Sequence, residues 1–337
     1  MNETTGPAHA TGRREVSRPE ASPAAAPSGA ARIVISGENV ADLLPAHDGL
    51  LRVALGGGPA NTAVAAARLG GSVSFLARLG VDDFARQFRE RLTAAGVDLG
   101  GAYVLDAPSA VALAAVDAAG VAKYDFWLDG AADFAATELP DAPPGAVAHA
   151  GSITAYWPPG AQHVAAWLAR GRSRCTITFD VNLRPVVLAR QSDALVRLEQ
   201  LVRLAHVVKA SDEDIELAYP GRPPNDVAAA WLAAGADLVV FTHGAAGASA
   251  HVAGEAAVIV SAPRIDVADT IGAGDAAMAA LLVRLATVGL AGVVGSRVDT
   301  LRYMCAAAAV ACTRHGAYAP TPPEVAALLA TAYTSEE

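Results

Sequence analysis

The 337-residue sequence predicts an α/β fold: a doubly wound, mostly parallel sheet flanked by helices, with a small β-strand lid set upon it. Three observations predict this. Short β-branched runs alternate with longer helix-periodic stretches, the alternation stops once between about residues 101 and 130, and glycine-rich or polar turns follow the strand-like runs. An apolar share of 53% supplies a substantial core.

The first thirty or so residues are rich in Ala, Pro, Ser and Gly and hold no apolar run that would serve as a signal-peptide core, so 1–30 is expected to be a disordered arm. One domain is expected over 31–330, with 331–337 as a tail. Its βαβ rhythm starts with the strand RIVIS (32–36), the helix PANTAVAAARLG (59–70), the strand SVSFLAR (72–78) and the helix DDFARQFRERLTAAG (82–96). Residues 102–130, AYVLDAPSAVALAAVDAAGVAKYDFWLDG, read instead as strands separated by turns, which predicts antiparallel ribbons; with about 38–55 they form the expected lid. The rhythm resumes in TITFDV (176–181), LVRLEQLVRLA (195–205), HVVKAS (206–211), DVAAAWLAAGA (226–236) and DLVVFTHG (237–244). The stretch AAMAALLVRLATVGLAGVVG (276–295) comes nearest to a membrane span, but Arg284 interrupts it and Gly289 ends its helix, which predicts a core helix of a soluble protein.

Several function classes drop out. A net charge of −9 without a clustered Lys/Arg footprint argues against nucleic acid. Cys175, Cys305 and Cys312 make neither an even disulfide set nor a CxxC pair, which fits a reducing cytoplasm. The eight histidines show no HxxEH spacing, and the chain has neither the GK[ST] of a P-loop nor a GxGxxG turn after its first strand.

Five turns carry candidate chemistry. In LGGGPANTAVAAARLG (55–70), three glycines and Asn61 suit either a plain strand-to-helix turn or an open backbone that hydrogen-bonds a polyhydroxy ligand. In TFDVNLRPVVL (178–188), Asp180, Asn182 and Arg184 alternate at a strand's carboxyl end, where ligands collect in parallel sheets; an ordinary polar loop is the alternative. In VVKASDED (207–214), Ser211 and the acids after it read as a helix cap, with a water-mediated metal contact from Asp214 as the other reading. FTHGAAG (241–247) suits a phosphate loop or a hairpin into ASAHVA. Finally, DTIGAGD (269–275) sets an acid behind a glycine turn at the head of an alanine-rich helix, either as a cap or as a reactive carboxylate beside bound phosphate.

In this order, GGGPAN, ribbon, FDVNLRP, VKASDED, FTHGAAG and DTIGAGD, the chain resembles the ribokinase/PfkB family of carbohydrate kinases over roughly Ile33 to Thr321, and FWLDGAADF with FDVNLRP looks most like its fructokinase and 2-keto-3-deoxygluconate kinase branch. The resemblance implies ATP-dependent transfer of the γ-phosphoryl group to a primary hydroxyl of a sugar or sugar acid. It implies that Asp275 is the base, needing only an ordinary low pKa, and that the amides of Gly272, Ala273 and Gly274 form an anion hole. Asp42, Gly57, Gly58, Asn61 and Arg184 would bind the sugar, and Lys209, Thr242, Gly244, Gly247 and Cys305 the nucleotide. Asp214 would hold Mg²⁺ through water, and Asp269, with carbonyls of 313–317, a monovalent cation such as K⁺; a homodimer through the lid is also implied. Two departures stand out. Ser211 and Asp214 replace the Asn and Glu of the family's N-x-x-E, and Leu128 stands where fructokinase-like chains usually carry Arg, which puts fructose in question. The alternatives are a nucleoside kinase of the same family and a non-catalytic sugar or nucleotide sensor on the same scaffold.

Overall fold

The structure, a computed structural model, describes residues 30–46, 49–116 and 122–333; the expected N-terminal arm up to residue 29 and the last four residues of the expected tail lie outside them.

The chain opens with β1 (Ile33–Ser36), then β2 (Val40–Pro45) and β3 (Leu51–Gly56), α1 (Gly58–Arg68), β4 (Val73–Phe75), β5 (Arg78–Leu79), α2 (Asp83–Ala94), β6 (Tyr103–Val104), β7 (Ala110–Val116) and β8 (Ala122–Trp127). There follow β9 (Val147–Gly151), α3 (Gly160–Gly171), β10 (Thr176–Asp180), α4 (Pro185–Arg190), α5 (Ala194–Leu204), β11 (Val207–Ser211), α6 (Asp212–Ala218), α7 (Pro224–Ala233), β12 (Leu238–Thr242), β13 (Ala248–His251) and β14 (Val258–Val260). Three helices close the chain: α8 (Ala273–Gly295), α9 (Arg297–Cys312) and α10 (Pro322–Ala332).

Eight strands form the main sheet in the order β14-β13-β12-β11-β10-β9-β1-β4, parallel from β12 to β4. β13 and β14 run antiparallel at one edge, so FTHGAAG is the turn of a hairpin, one of its two readings. The parallel strands are buried on both faces, which is why IVIS and VAHAG show no alternation. One core joins α1, α2, α8 and α9 on one face; the other joins α3, α5, α6 and α7 on the opposite face. Local chemistry sets the helix starts. Asp82 caps α2 by accepting from Ala85 N at 2.9 Å, and the helix then buries Ala85, Phe88 and Leu92 on one stripe. The apolar helix α8 is broken at Gly289 (φ 71, ψ 172), and its residues from Ala276 to Leu282 are buried against neighbouring helices. By length and composition it is long enough to cross a membrane, yet half of its most apolar window lies inside the protein.

A second sheet, β3-β2-β7-β8, leaves the main one between β1 and α1 and again after β6. The two departures are tied together: Asp133 accepts from Asn39 N at 2.8 Å and from Ala110 N at 3.4 Å. From β1 the chain steps first to β4 on one side and later to β9 on the other. The strand order therefore reverses at β1 and β9, and in an open α/β sheet the crevice outside such a switch point is where ligands bind.

Candidate active site

A cavity of about 740 Å³ opens at that switch point. The main sheet contributes the residues that follow its strands: Glu38 after β1, Ser152 and Ile153 after β9, Arg184 after β10. Helix α8 contributes Asp275, the turn before α1 contributes Gly57 and Gly58 with Asn61 just inside the helix, and the smaller sheet contributes Val40, Asp42, Tyr124 and Phe126. Of the residues expected from the sequence, Asp42, Gly57, Gly58, Asn61, Arg184 and Asp275 thus meet in one space.

The glycines are there for steric reasons. A Cβ on Gly58 would stand 2.6 Å from Asn182 Nδ2 and 3.3 Å from Asp275 Oδ1, inside the site itself. Gly272 takes the left-handed conformation (φ 79) that turns the chain into α8, with Ala317 packed against the place a side chain would occupy. The turn leaves Asp275 at the third helical position, beside first-turn amides that have no partner within the helix. Of the three amides expected in the anion hole, Ala273 N also closes the turn onto Thr270 O at 3.2 Å.

Asp275 accepts from Asn61 Nδ2 at 2.9 Å. Burial pushes its carboxyl above the ordinary value, against the pull of Asn61, Arg184 and Lys209. The low pKa expected from the sequence is corrected here: desolvation at the cavity floor outweighs the donors. Burial likewise raises Asp42 to about 6, against the attraction of Arg184 and Arg91. Two non-glycine residues at the rim have positive φ, Ser152 (60°) and Asn182 (36°), a kind of strain that gathers at functional sites.

Other expected residues lie elsewhere. Lys209 is buried in an ion pair, Nζ 3.0 and 2.9 Å from the two oxygens of Asp180. Asp180 keeps Lys209 charged despite its burial, while desolvation lifts Asp180 itself to about 6, leaving the pair ionised at neutral pH. Asp214 lies outside the cavity lining: Oδ1 accepts from Leu183 N at 2.7 Å, and Oδ2 accepts from Ser211 N at 2.7 Å and Ser211 Oγ at 2.9 Å. Three of the roughly four acceptor positions of its carboxylate are thus taken by backbone and cap, and among the described residues no three His, Cys, Asp or Glu cluster as a metal cage. Asp269 bridges two segments: its carboxylate accepts from Ile271 N at 3.0 Å and Gly316 N at 2.8 Å, joining the turn before α8 to the 313–317 loop. Thr242, Gly244 and Gly247 sit at the end of β12, where His243 N donates to Gly247 O at 2.8 Å. Cys305 is buried in α9, its thiol pushed up to about 11 by desolvation. Leu128, the departure from fructokinase-like chains, is fully buried.

Sequence reading missed Glu38, Ser152 and Arg91. Glu38, 1% exposed, accepts from Thr154 N at 3.0 Å and from Thr154 Oγ1. Buried charge without a sequence signature can be found only by knowing what covers it.

The pfkB family carbohydrate kinase model matches residues 40–324. The chain belongs to that family. The kinase is 31% identical over 303 residues to fructokinase of Salmonella typhimurium, covering 87% of this chain and 96% of that one, and 32% identical over 260 residues to fructokinase of Rhizobium leguminosarum bv. trifolii, covering 75% and 79%. Among solved structures it is similar to Vibrio cholerae O395 fructokinase bound to fructose, ADP and calcium (28% identity, TM-score 0.81, covering 90% and 100%). It is also similar to Salmonella enterica aminoimidazole riboside kinase with aminoimidazole riboside and an ATP analogue (26% identity, TM-score 0.79, covering 88% and 99%). The kinase therefore phosphorylates a carbohydrate, on a ribokinase-like α/β scaffold.

Proposed function

We propose that the kinase moves the γ-phosphoryl group of ATP to a primary hydroxyl of a monosaccharide or sugar acid, in fructokinase-like fashion, with Asp275 as the base. One observation carries the reading: a carboxylate at the head of α8, held by Asn61 at 2.9 Å, faces the same cavity as Asp42 on the smaller sheet. Asp42 accepts hydrogen bonds from the sugar, and Asn61, Arg184 and the turn at Gly57 and Gly58 fix its orientation. As the hydroxyl oxygen bonds to the γ-phosphorus and the bond to the β-phosphate oxygen breaks, Asp275 takes the hydroxyl proton and ADP departs. The charge spread over the transferring group falls beside the amides of Gly272, Ala273 and Gly274, where fixed dipoles stabilise it.

The nucleotide would lie along Thr242, Gly244 and Gly247, as ADP or ATP analogues accompany the related kinases. Lys209 acts there through its charge, and Cys305 as apolar surface behind the nucleotide. Asp269 and the 313–317 carbonyls offer hard oxygens to K⁺, which would neutralise and stiffen the anion hole. A divalent ion would ride on the phosphates and their waters.

The smaller sheet serves as lid. Its outer face carries an apolar row, Val53 paired with Leu43 and Leu43 with Leu113, that ends in the exposed Asp125; Leu51, Val53 and Trp127 are exposed as well. A second copy of the chain covering that face would complete a homodimer. Three free thiols fit a reducing, cytoplasmic setting.

One observation favours a second reading, a nucleoside acceptor: Tyr124 and Phe126, 6.0 Å apart, offer rings to a base. A coupled assay of ADP release over ketoses, aldoses, 2-keto-3-deoxy acids and nucleosides separates the readings. Turnover with a sugar or sugar acid supports the first, turnover with nucleosides alone supports the second, and ligand binding without any turnover sinks both in favour of a sensor.

A further inference from the structure

Arg91, on α2, reaches from outside the cavity to the machinery within it. Its Nη1 donates to Leu55 O at 2.7 Å, and its Nη2 donates to Asn61 Oδ1 at 2.7 Å. The same Asn61 donates through Nδ2 to Asp275 Oδ2 at 2.9 Å. An asparagine amide can turn over, exchanging a donor for an acceptor of nearly the same shape. A guanidinium has donors only, so it demands the oxygen of Asn61 and leaves the NH₂ end no place but against Asp275.

We propose that Arg91 is a positioning residue for phosphoryl transfer: by fixing the amide orientation of the buried Asn61, it guarantees Asp275 a hydrogen-bond donor. Without it, the reversed amide presents Oδ1 to the carboxylate, and two acceptors face each other at a desolvated site. The second fork of Arg91 holds Leu55, at the foot of the smaller sheet, so one rigid group anchors the root of that sheet and the amide behind the base. The inference rests on Asp275 being the base. The charged groups acting on Asp275 are Arg184 after β10, Lys209 on β11 and Glu38 after β1, with Asp180 on β10 and Arg91 itself also within electrostatic reach.

A purely structural clamp would alter melting temperature and sugar KM; a positioning role also alters the chemistry of Asp275. The test compares Arg91→Met, Arg91→Lys, Asn61→Ala, the Arg91→Met/Asn61→Ala double variant and Asp275→Asn, through kcat, both KM values and the pH profile of kcat. Arg91→Met is expected to lose roughly tenfold to a hundredfold in kcat with ATP KM unchanged. The acid limb of its profile should move to higher pH, because losing a donor to the ionised form raises the carboxyl further. In the double variant, removal of Arg91 should add almost nothing to the loss from Asn61→Ala, since the two act through one bond. Should Arg91→Met fail to fold, Arg91→Lys serves: its shorter side chain lacks the planar fork that reaches both acceptors through two nitrogens, so kcat should fall and the limb should move in the same direction. An unchanged limb, or losses that add in full, overturns the proposal. Asp275→Asn separates the failures: if it keeps kcat, the assigned base is wrong, whereas if it collapses while the Arg91 variants do not, only the role of Arg91 is lost.

Discussion

The two sheets are built from similar apolar residues and end in different conditions. In the main sheet, β1 and β9 are buried at every position and helices cover both faces. In the smaller sheet, β3 begins with three exposed residues, and Trp127 of β8 is 56% exposed. The site takes Asp275 from the helix packed on the first and Asp42 from the second. On the proposed reading, the base belongs to the more deeply buried part of the molecule, while the sugar contact Asp42 belongs to the more exposed sheet. Selectivity can then drift in the smaller sheet without disturbing the base.

Five measurements sharpen or break this contrast. Phe179→Ala, in a fully buried position of β10, should lower unfolding free energy by about 3–5 kcal/mol in a denaturant titration; a small loss would mean that the main sheet is no more rigid than its neighbour. Asp275→Asn should keep the fold and nucleotide binding yet lose kcat by about a hundredfold or more, an effect near 2.7 kcal/mol on the barrier. Near-normal turnover would take the base away from the main sheet. Asp42→Asn should raise sugar KM by about tenfold, close to 1.4 kcal/mol, with kcat less affected. In the unmutated enzyme, sugar KM should climb as pH falls below about 6, because the raised carboxyl becomes neutral there and ceases to accept two hydrogen bonds. A flat profile would show that Asp42 does not hold the sugar. Trp127→Ala should change monomer stability by less than about 0.5 kcal/mol. If the outer face is a dimer contact, it weakens the dimer in sedimentation instead; an unaltered dimer would leave that face without its proposed partner.

Much of the fold could be read in the chain because it rests on local rules. Strand and helix periods, the break at Gly289 and the helix-free stretch before Asp129 each depend on a few neighbouring residues. DTIGAGD and GGGPAN were legible too, since a glycine needed for close approach leaves a fixed mark in sequence. Asp214 shows the limit. Its spacing from Ser211 suits a cap and a metal contact equally, and only the fold brings the amide of Leu183, 31 residues away in sequence, onto its carboxylate.

The sequence by itself determined the α/β class, the order of elements and the glycine turns that lead into α1 and α8, because these follow from backbone sterics and periodic burial. Tertiary structure alone decided which groups face one another: Arg91 with Asn61 across 30 positions, Asn61 with Asp275 across 214, Lys209 with Asp180 in the interior. It also decided how far burial lifts the carboxyls of Asp42 and Asp275. Desolvation and hydrogen-bond direction depend on what the rest of the chain places around a side chain, and no short stretch of sequence records that.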